Sequence, residues 1–504
     1  MEKLPGGANR TDGPQPRAEG HSVLFRVDAA TVVRPAGEVV FRELSWTFHE
    51  GETWAVVGPV ASGKTALGDL MAGRLRVTNG TVEWPLVDRL RAAGRVVNWP
   101  SEIVGWVGFK EESRLFSYTR HYYQQRFNFI EPNDDLTLDA FLRSGLTVAD
   151  ETVRAAAARL GIAELLPLSF IKLSNGQTRR ARIARSLLAH PEILVLDEPF
   201  VGLDLDGRRE ASEIIGRITA AGVRVVLITA RDRVPDWVTH VLELTDRRAT
   251  FRGTRNLYQP PAGVTGTMHP APRSAAAGVG EPVIEMRNVN VTYGGKAILR
   301  GIDWTVRAGE RWAVVGPNGS GKTTLLSLIC GDHPQAYSND VAVFGRRRGG
   351  GESIWDIKRR IGLVSPELHF YFSEPLTADR AAATGFFDVL VARRTTPEQD
   401  ATVRDLFDYF GVAEVADRPF ARLSTGQQRI FLLIRALVKD PPLLILDEPF
   451  QVLDAQTAER ARAWIDERLA ADRTVLFVTH NESELPRTVT RRLRLNEGVM
   501  VEVR

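Results

Sequence analysis

Two octapeptides of the form G-x-x-x-x-G-K-T carry the clearest chemistry in the chain. They are Gly58-Pro59-Val60-Ala61-Ser62-Gly63-Lys64-Thr65 and Gly316-Pro317-Asn318-Gly319-Ser320-Gly321-Lys322-Thr323. Each follows the short apolar run WAVV and opens a helix-like stretch, which is the context a phosphate-binding loop requires. The glycines let main-chain N–H groups curl around phosphate oxygens, and the helix N-terminus adds its positive end. Lys64 and Lys322 have the reach for β and γ phosphates. The Thr65 and Thr323 hydroxyls are hard oxygen ligands suited to Mg2+.

Asp197-Glu198 and Asp447-Glu448 close the apolar runs ILVL and LLIL. Adjacent acids at a strand end face different ways. One can hold the Mg2+ shell while the other addresses a water. A solvated strand end would explain either pair alone; beside two phosphate loops the catalytic reading prevails. Leu173-Ser174-Asn175-Gly176-Gln177 and Leu423-Ser424-Thr425-Gly426-Gln427 open helices. Ser174 and Ser424 fit as helix caps. The same exposed N-terminus also makes an anion site.

These blocks recur in the same order, and the serine-to-aspartate spacing is identical in both copies. So long a period means two homologous domains rather than a solenoid. The stretch QPPAGVTGTMHPAPRSAAAGVGEP between them is rich in Pro, Gly and Ala and low in charge, the composition of a linker. The expected organisation is a disordered tail at 1–21, a first domain at 22–256, a flexible linker at 257–282 and a second domain at 283–504. WAVVG, ILVLDE and VRVVLIT, with their partners WAVVG, LLILDE and RTVLFVT, read as buried parallel strands. ETVRAAAARLGIAELL and ATVRDLFDYFGVAEV have helical periodicity. The fold class is therefore α/β: two domains, each a mostly parallel sheet with helices on both faces plus a helical subdomain.

Composition narrows the function. The chain has 504 residues, 25% charged and 43% hydrophobic, with a net charge of +3. No basic field for nucleic acid is present in bulk. Cys330 is the single cysteine, so no intrachain disulfide or cysteine zinc site forms, and a reducing cytoplasm fits. No apolar run approaches the ~18 residues a membrane helix needs. Work at a membrane would need another chain to hold the protein there.

The order of phosphate loop, LS-x-GQ motif, Asp-Glu strand, D-loop (Gly202-Leu203-Asp204; Val452-Leu453-Asp454) and Thr479-His480 resembles the ATP-binding cassette (ABC) ATPases. The resemblance covers both halves. It implies that two cassettes pair head to tail within the chain, each ATP lying between one phosphate loop and the other half's LS-x-GQ motif. Ser174, Gly176 and Gln177 would then serve the second site, and Ser424, Gly426 and Gln427 the first. A finer resemblance, carried by SYTRHYYQQRFNF and SPELH, is to the tandem ModF-type group, named for an association with molybdate transport.

What the ABC resemblance implies is Mg2+-dependent hydrolysis of ATP. Glu448 would be the general base or water-orienting group, with Glu198 its counterpart. His480 would contact the γ-phosphate, and Asp197, Asp447, Thr65 and Thr323 would hold Mg2+. An adenine-stacking aromatic fits at Tyr293. Departures are concentrated in the first half. His480 matches Ala230, and Tyr293 matches the non-aromatic Arg34 or Pro35. The family's magnesium-contacting glutamine is replaced by Lys110 and Glu367, of which only Glu367 offers a ligand. The expectation is one hydrolysing site on the second half and one largely structural site on the first.

The partner expected from the family is a separate membrane permease, placing the protein in the cytoplasm or at the inner face of the plasma membrane. The alternative is a soluble ABC ATPase with a regulatory, translation- or nucleic-acid-associated role. The short, weakly charged linker counts against ribosome and nucleic-acid partners.

Overall fold

The computed structural model describes residues 22–35, 37–59, 62–108, 136–201, 203, 205–259, 280–293, 295–351, 353–366, 368, 372 and 376–504. The N-terminal tail, most of the linker, the aromatic insert, Val60, Ala61, Gly202, Asp204, Lys110 and Glu367 lie outside the described residues.

Each half is built on a six-stranded sheet. In the first, the order is Val104–Val107, Ile193–Asp197, Arg224–Ile228, Trp54–Val57, His240–Thr245, Arg248–Thr254. The first five strands run parallel and the last turns back antiparallel. The second half repeats this order with Ile361–Val364, Leu443–Asp447, Thr474–Thr479, Arg311–Val315, Arg491–Asn496 and Val499–Val503. The phosphate-loop strand is central and the Asp-Glu strand lies two places away. Both loops therefore leave the same carboxyl edge of the sheet, where open α/β sheets place their ligands.

Strand alternation divides the core. Trp54 and Val56 face one layer, and Ala55 and Val57 the other. The second layer packs under the helices Leu138–Arg143, Asp150–Arg159, Asn175–Leu188 and Leu205–Ala220. The first layer is covered differently from the sequence expectation. It holds the phosphate-loop helix Lys64–Met71 and also an antiparallel sheet of Val39–His49, Val23–Val33 and Arg76–Glu83. The second half has a matching antiparallel sheet in which Pro282–Tyr293 lies between Lys296–Arg307 and Asp340–Val343. Trp54 and Trp312 are buried, and each indole N–H donates to a glutamate two residues earlier, Glu52 and Glu310, at 2.9 Å. Their role is in the core, with the polar edge satisfied. Cys330 is buried among aliphatic side chains and its thiol is pushed up to about 12 by burial.

Candidate nucleotide sites

Each phosphate loop begins on a glycine that no other residue can replace without movement. Gly58 has φ 148° and Gly316 φ 153°. A Cβ there would lie 2.1 Å from the Leu244 carbonyl oxygen in one case and 2.2 Å from that of Leu495 in the other. The helices Lys64–Met71 and Lys322–Cys330 follow left-handed Gly63 and Gly321. Lys64 Nζ donates to the carbonyls of Gly58 and Pro59 at 2.7 and 2.8 Å. Lys322 repeats this with Gly316 and Pro317 at 2.7 and 2.9 Å. The loop serines Ser62 and Ser320 are buried, and neither hydroxyl has a hydrogen-bond partner among the described residues.

In the first half the Asp-Glu pair meets its phosphate loop. Thr65 Oγ1 donates to Asp197 Oδ2 at 2.8 Å. A hydroxyl and a carboxylate oxygen side by side are the hard donors that suit Mg2+, which takes most of its remaining ligands from water and phosphate. Glu198 and Glu448 both adopt left-handed backbone, φ 51° and 47°. Their N–H groups donate to Ile228 and Val478 at 2.9 Å. That turn lifts each glutamate out of the strand and toward the carboxyl edge.

Beyond this point the halves differ. Glu448 Oε1 lies 2.8 Å from His480 Nδ1, with both side chains buried. Glu448 Oε2 is buried with no partner among the described residues. Ala230 stands at the histidine's place in the first half. The next residue, Arg231, turns away to pair with Glu243 at 2.5 Å. Burial pushes the Glu198 carboxyl up to about 7; Asp197 adds to this, while Lys64, Arg233 and Arg179 oppose it. Burial also raises the Asp197 carboxyl, against the hydrogen bond from Thr65 and the charge of Lys64. Lys64 is lowered by burial, with Glu198, Asp197 and Asp454 of the second half pulling it back.

Ser174 and Ser424 each begin a helix as half of a capping box. Their hydroxyls accept from the N–H of Gln177 and Gln427 at 3.3 Å, and those glutamine side chains accept in return at 2.9 and 3.0 Å. Two glutamines expected at the nucleotide thus close their own helix ends. Tyr293 packs at the edge of the second core with its hydroxyl bonded to His333.

Contacts also cross between the halves. Arg208, on the helix after the first D-loop, reaches His480 Nε2 at 2.8 Å. Arg418 of the second half pairs with Glu38 of the first at 2.9 Å. Arg208 went unnoticed in the sequence. The signal was present: the equivalent place after the second Asp-Glu pair holds Ala458.

Among the described residues no helix is long and apolar enough to cross a membrane. The family described as "ABC transporter" matches residues 41–201 and again 299–451. The chain is 35% identical to the ABC transporter ATP-binding protein ModF of Escherichia coli, over 89% of this chain and 92% of that one. It is 33% identical to an uncharacterised ABC transporter ATP-binding protein of Schizosaccharomyces pombe, over 92% and 96%. A solved structure of ribosome-bound archaeal Pelota and ABCE1 contains a chain that superposes with a TM-score of 0.60 at 17% identity, covering 94% of this chain and 78% of that one; at that identity the likeness is one of fold. Two phosphate loops at the same edge of two duplicated sheets, matched twice by one family and along nearly the full length by its tandem relatives, place this chain among the tandem ABC transporter ATP-binding proteins.

Proposed function

We propose that the chain is a Mg2+-dependent ATPase whose two halves close on ATP, with hydrolysis carried mainly by the site on the second half. The observation that supports this most is the buried contact between His480 Nδ1 and Glu448 Oε1 at 2.8 Å, which has no equivalent at Ala230. One oxygen of Glu448 is held by the imidazole. The other, Oε2, is left to accept from the attacking water. Lys322 exchanges its loop carbonyls for β and γ phosphate oxygens, and the main-chain N–H groups from Gly319 to Thr323 cradle the same charge. His480 addresses the γ-phosphate. Tyr293 stands at the adenine, and Ser174 and Gly176 complete the site from the other half.

Thr323 and Asp447 would hold Mg2+ at this site, and Thr65 and Asp197 at the first. When bound, the ion would offset the negative charge of the phosphates. The chain's own contribution is positioning and fixed dipoles, which supply most of the catalysis in phosphoryl transfer. The first half, with Lys64, Thr65, Asp197 and Glu198 but no histidine, binds ATP and turns it over slowly. Closure and reopening deliver the work to a partner, and tandem relatives named as transporter ATP-binding proteins favour separate permease subunits as that partner.

Steady-state ATPase assays on the full chain and its Glu448→Gln variant test the chemistry. Absence of Mg2+-stimulated turnover in the parent protein overturns it. Affinity purification at native expression tests the partner. Recovery of membrane permease subunits supports transport, and recovery of ribosomes in their place overturns it.

A further inference from the structure

The loop after the second phosphate-loop helix grips the strand end that carries Tyr293. His333 is fully buried, and its Nε2 meets the Tyr293 hydroxyl with the two ring centres 5.5 Å apart. The Gln335 N–H donates to His333 Nδ1 at 3.1 Å. Burial keeps this imidazole neutral, its pKa held down at about 4. A neutral imidazole has one donor and one acceptor nitrogen. Nδ1 accepts, so the proton sits on Nε2 and is donated to the Tyr293 oxygen. The phenol's own hydrogen is left for Thr324, whose side chain also bonds this hydroxyl. Thr324 lies beside Thr323 on the phosphate-loop helix. The tip of the tyrosine is thus tied both to the buried histidine and to the helix that begins at the phosphate cradle.

The main chain leading to Tyr293 is held as well. Gln335 Nε2 donates to the Thr292 carbonyl at 2.7 Å, and its Oε1 accepts from the Thr292 N–H at 3.2 Å. Asn339 does the same for Asn290, at 2.9 and 2.8 Å. Two side-chain amides stand in for a neighbouring strand, because Pro282–Tyr293 pairs with Asp340–Val343 only from Ile284 to Arg287. The first half keeps a true strand there: Val23–Val33 pairs with Arg76–Glu83 as far as Val33 and Arg76. Arg34 follows at the place of Tyr293, and Leu75, at the same distance from its phosphate loop as His333, packs against the apolar core. A plain strand closes the sheet equally well, so closing the sheet does not explain the exchange. The half that has the aromatic is the half that has the histidine.

We propose that His333 is a positioning residue of the second ATP site, holding the Tyr293 ring in one orientation, on a main chain fixed by Gln335, as a ready-made platform for the adenine base. The inference rests on the placing of Tyr293 at the adenine proposed above. A ring that turns freely loses that freedom when a base stacks on it, and a ring already held does not, so the base binds more tightly. The bond to Thr324 also fixes the platform relative to the phosphate cradle. Base and triphosphate are then gripped as one rigid unit.

The test is competition against a fluorescent ATP analogue, on the full-length protein carrying Gly58→Ala so that the second site is read, and without Mg2+ so that no nucleotide is consumed. The competitors are ATP and tripolyphosphate. His333→Asn keeps an acceptor for the Gln335 N–H but is too short to reach Tyr293, whereas His333→Gln returns a donor to the place of Nε2. His333→Asn is expected to weaken ATP about 3–10-fold, the range that one hydrogen bond spans, with tripolyphosphate changed by less than about twofold. His333→Gln should retain most of the ATP affinity. Tyr293→Phe, which keeps the ring and loses only its hydroxyl, should show a loss similar to that of His333→Asn, and combining the two should add less than about twofold. In steady-state turnover the His333→Asn loss should appear in KM, with kcat changed by less than about twofold. Four results overturn the inference: undiminished ATP affinity in His333→Asn, an equal loss for tripolyphosphate, an equal loss in His333→Gln, or full multiplication of the losses in the double variant. If the parent binds tripolyphosphate as tightly as ATP, the adenine reading of Tyr293 falls and takes this inference with it. A parent that prefers ATP, with undiminished ATP affinity in His333→Asn, removes only this inference.

Discussion

Arg179 Nη1 donates to the main-chain carbonyl of Glu198 at 2.8 Å, whereas its counterpart in the repeat, Arg429, donates to the carbonyl of Ser365 at 3.1 Å. Both guanidiniums are deeply buried. Burial lowers them to about 9 and about 10, respectively, with neighbouring Arg182 adding to the effect on Arg179. In the first half the arginine grips the turn that carries the catalytic-type glutamate. In the second it grips the end of the adjoining strand, and the glutamate is held by His480. The same sequence position supports two differently built carboxylates.

Unequal turnover follows. Glu448→Gln and His480→Ala should each nearly abolish steady-state ATPase activity, since they remove the water-orienting oxygen and its partner. Glu198→Gln should leave a substantial fraction. Equal losses from Glu198→Gln and Glu448→Gln would sink the idea of independent, unequal sites.

Both sites should nevertheless bind nucleotide. Gly58→Ala and Gly316→Ala each drive a Cβ to within 2.1–2.2 Å of a main-chain oxygen, at a local cost of about 2 kcal/mol or more. Each variant should therefore bind one fluorescent ATP analogue per chain where the parent binds two. Titration calorimetry or anisotropy reads the stoichiometry. A parent that binds one equivalent would remove the structural role of the first site.

The protein should stay a single chain when it closes. Cross-half contacts such as Arg208–His480 and Arg418–Glu38 form within one polypeptide, and the linker keeps the halves at high effective concentration. Light scattering of Glu448→Gln with ATP and Mg2+ should give the mass of one chain. An obligate dimer of whole chains contradicts this. The Arg418–Glu38 pair is partly exposed, so Arg418→Ala should cost under about 1 kcal/mol.

Acid should weaken the second half through His333. This ring is buried, and burial holds its pKa down at about 4 against an ordinary 6.5. The Gln335 N–H donates to Nδ1 at 3.1 Å, so a proton arriving there would displace a hydrogen bond. The unfolded chain takes up that proton more readily than the folded one, so stability is lost as pH falls from about 6.5 toward about 4. Between pH 7 and pH 5 the loss from this group should reach about 2 kcal/mol at most. Denaturant midpoints for the parent and His333→Gln at both pH values check the sign: the variant should lose less on acidification.

Much of the site was legible because its chemistry is local. A phosphate loop needs glycines, a lysine and a threonine in one octapeptide, and an Asp-Glu pair at a strand end is two letters long. The serine caps at Ser174 and Ser424 were equally readable, whereas the glutamines that complete each box, Gln177 and Gln427, were expected at the nucleotide. The antiparallel sheets were not. Their strands are interrupted by left-handed residues at Ala29, Glu43 and Asn288, with register shifts beside the bulges, and each interruption breaks the two-residue period that announces a strand. Arg208 was visible as a difference from Ala458, but its meaning depends on His480, which lies 272 positions away in sequence. Spacing cannot supply that pairing.

The alanines at 230 and 458 face the same question from opposite halves, and the histidine and arginine at 480 and 208 answer it together. Such a division is stable only if unlike halves always meet. Separate cassettes made from two genes could associate with copies of themselves. They would then form assemblies in which two arginines face alanines in one population and two histidines face alanines in the other. Joining the halves in one polypeptide removes those combinations. It fixes a one-to-one ratio at synthesis, and so it lets one ATP site drift toward a scaffold without ever depriving the other of its partner.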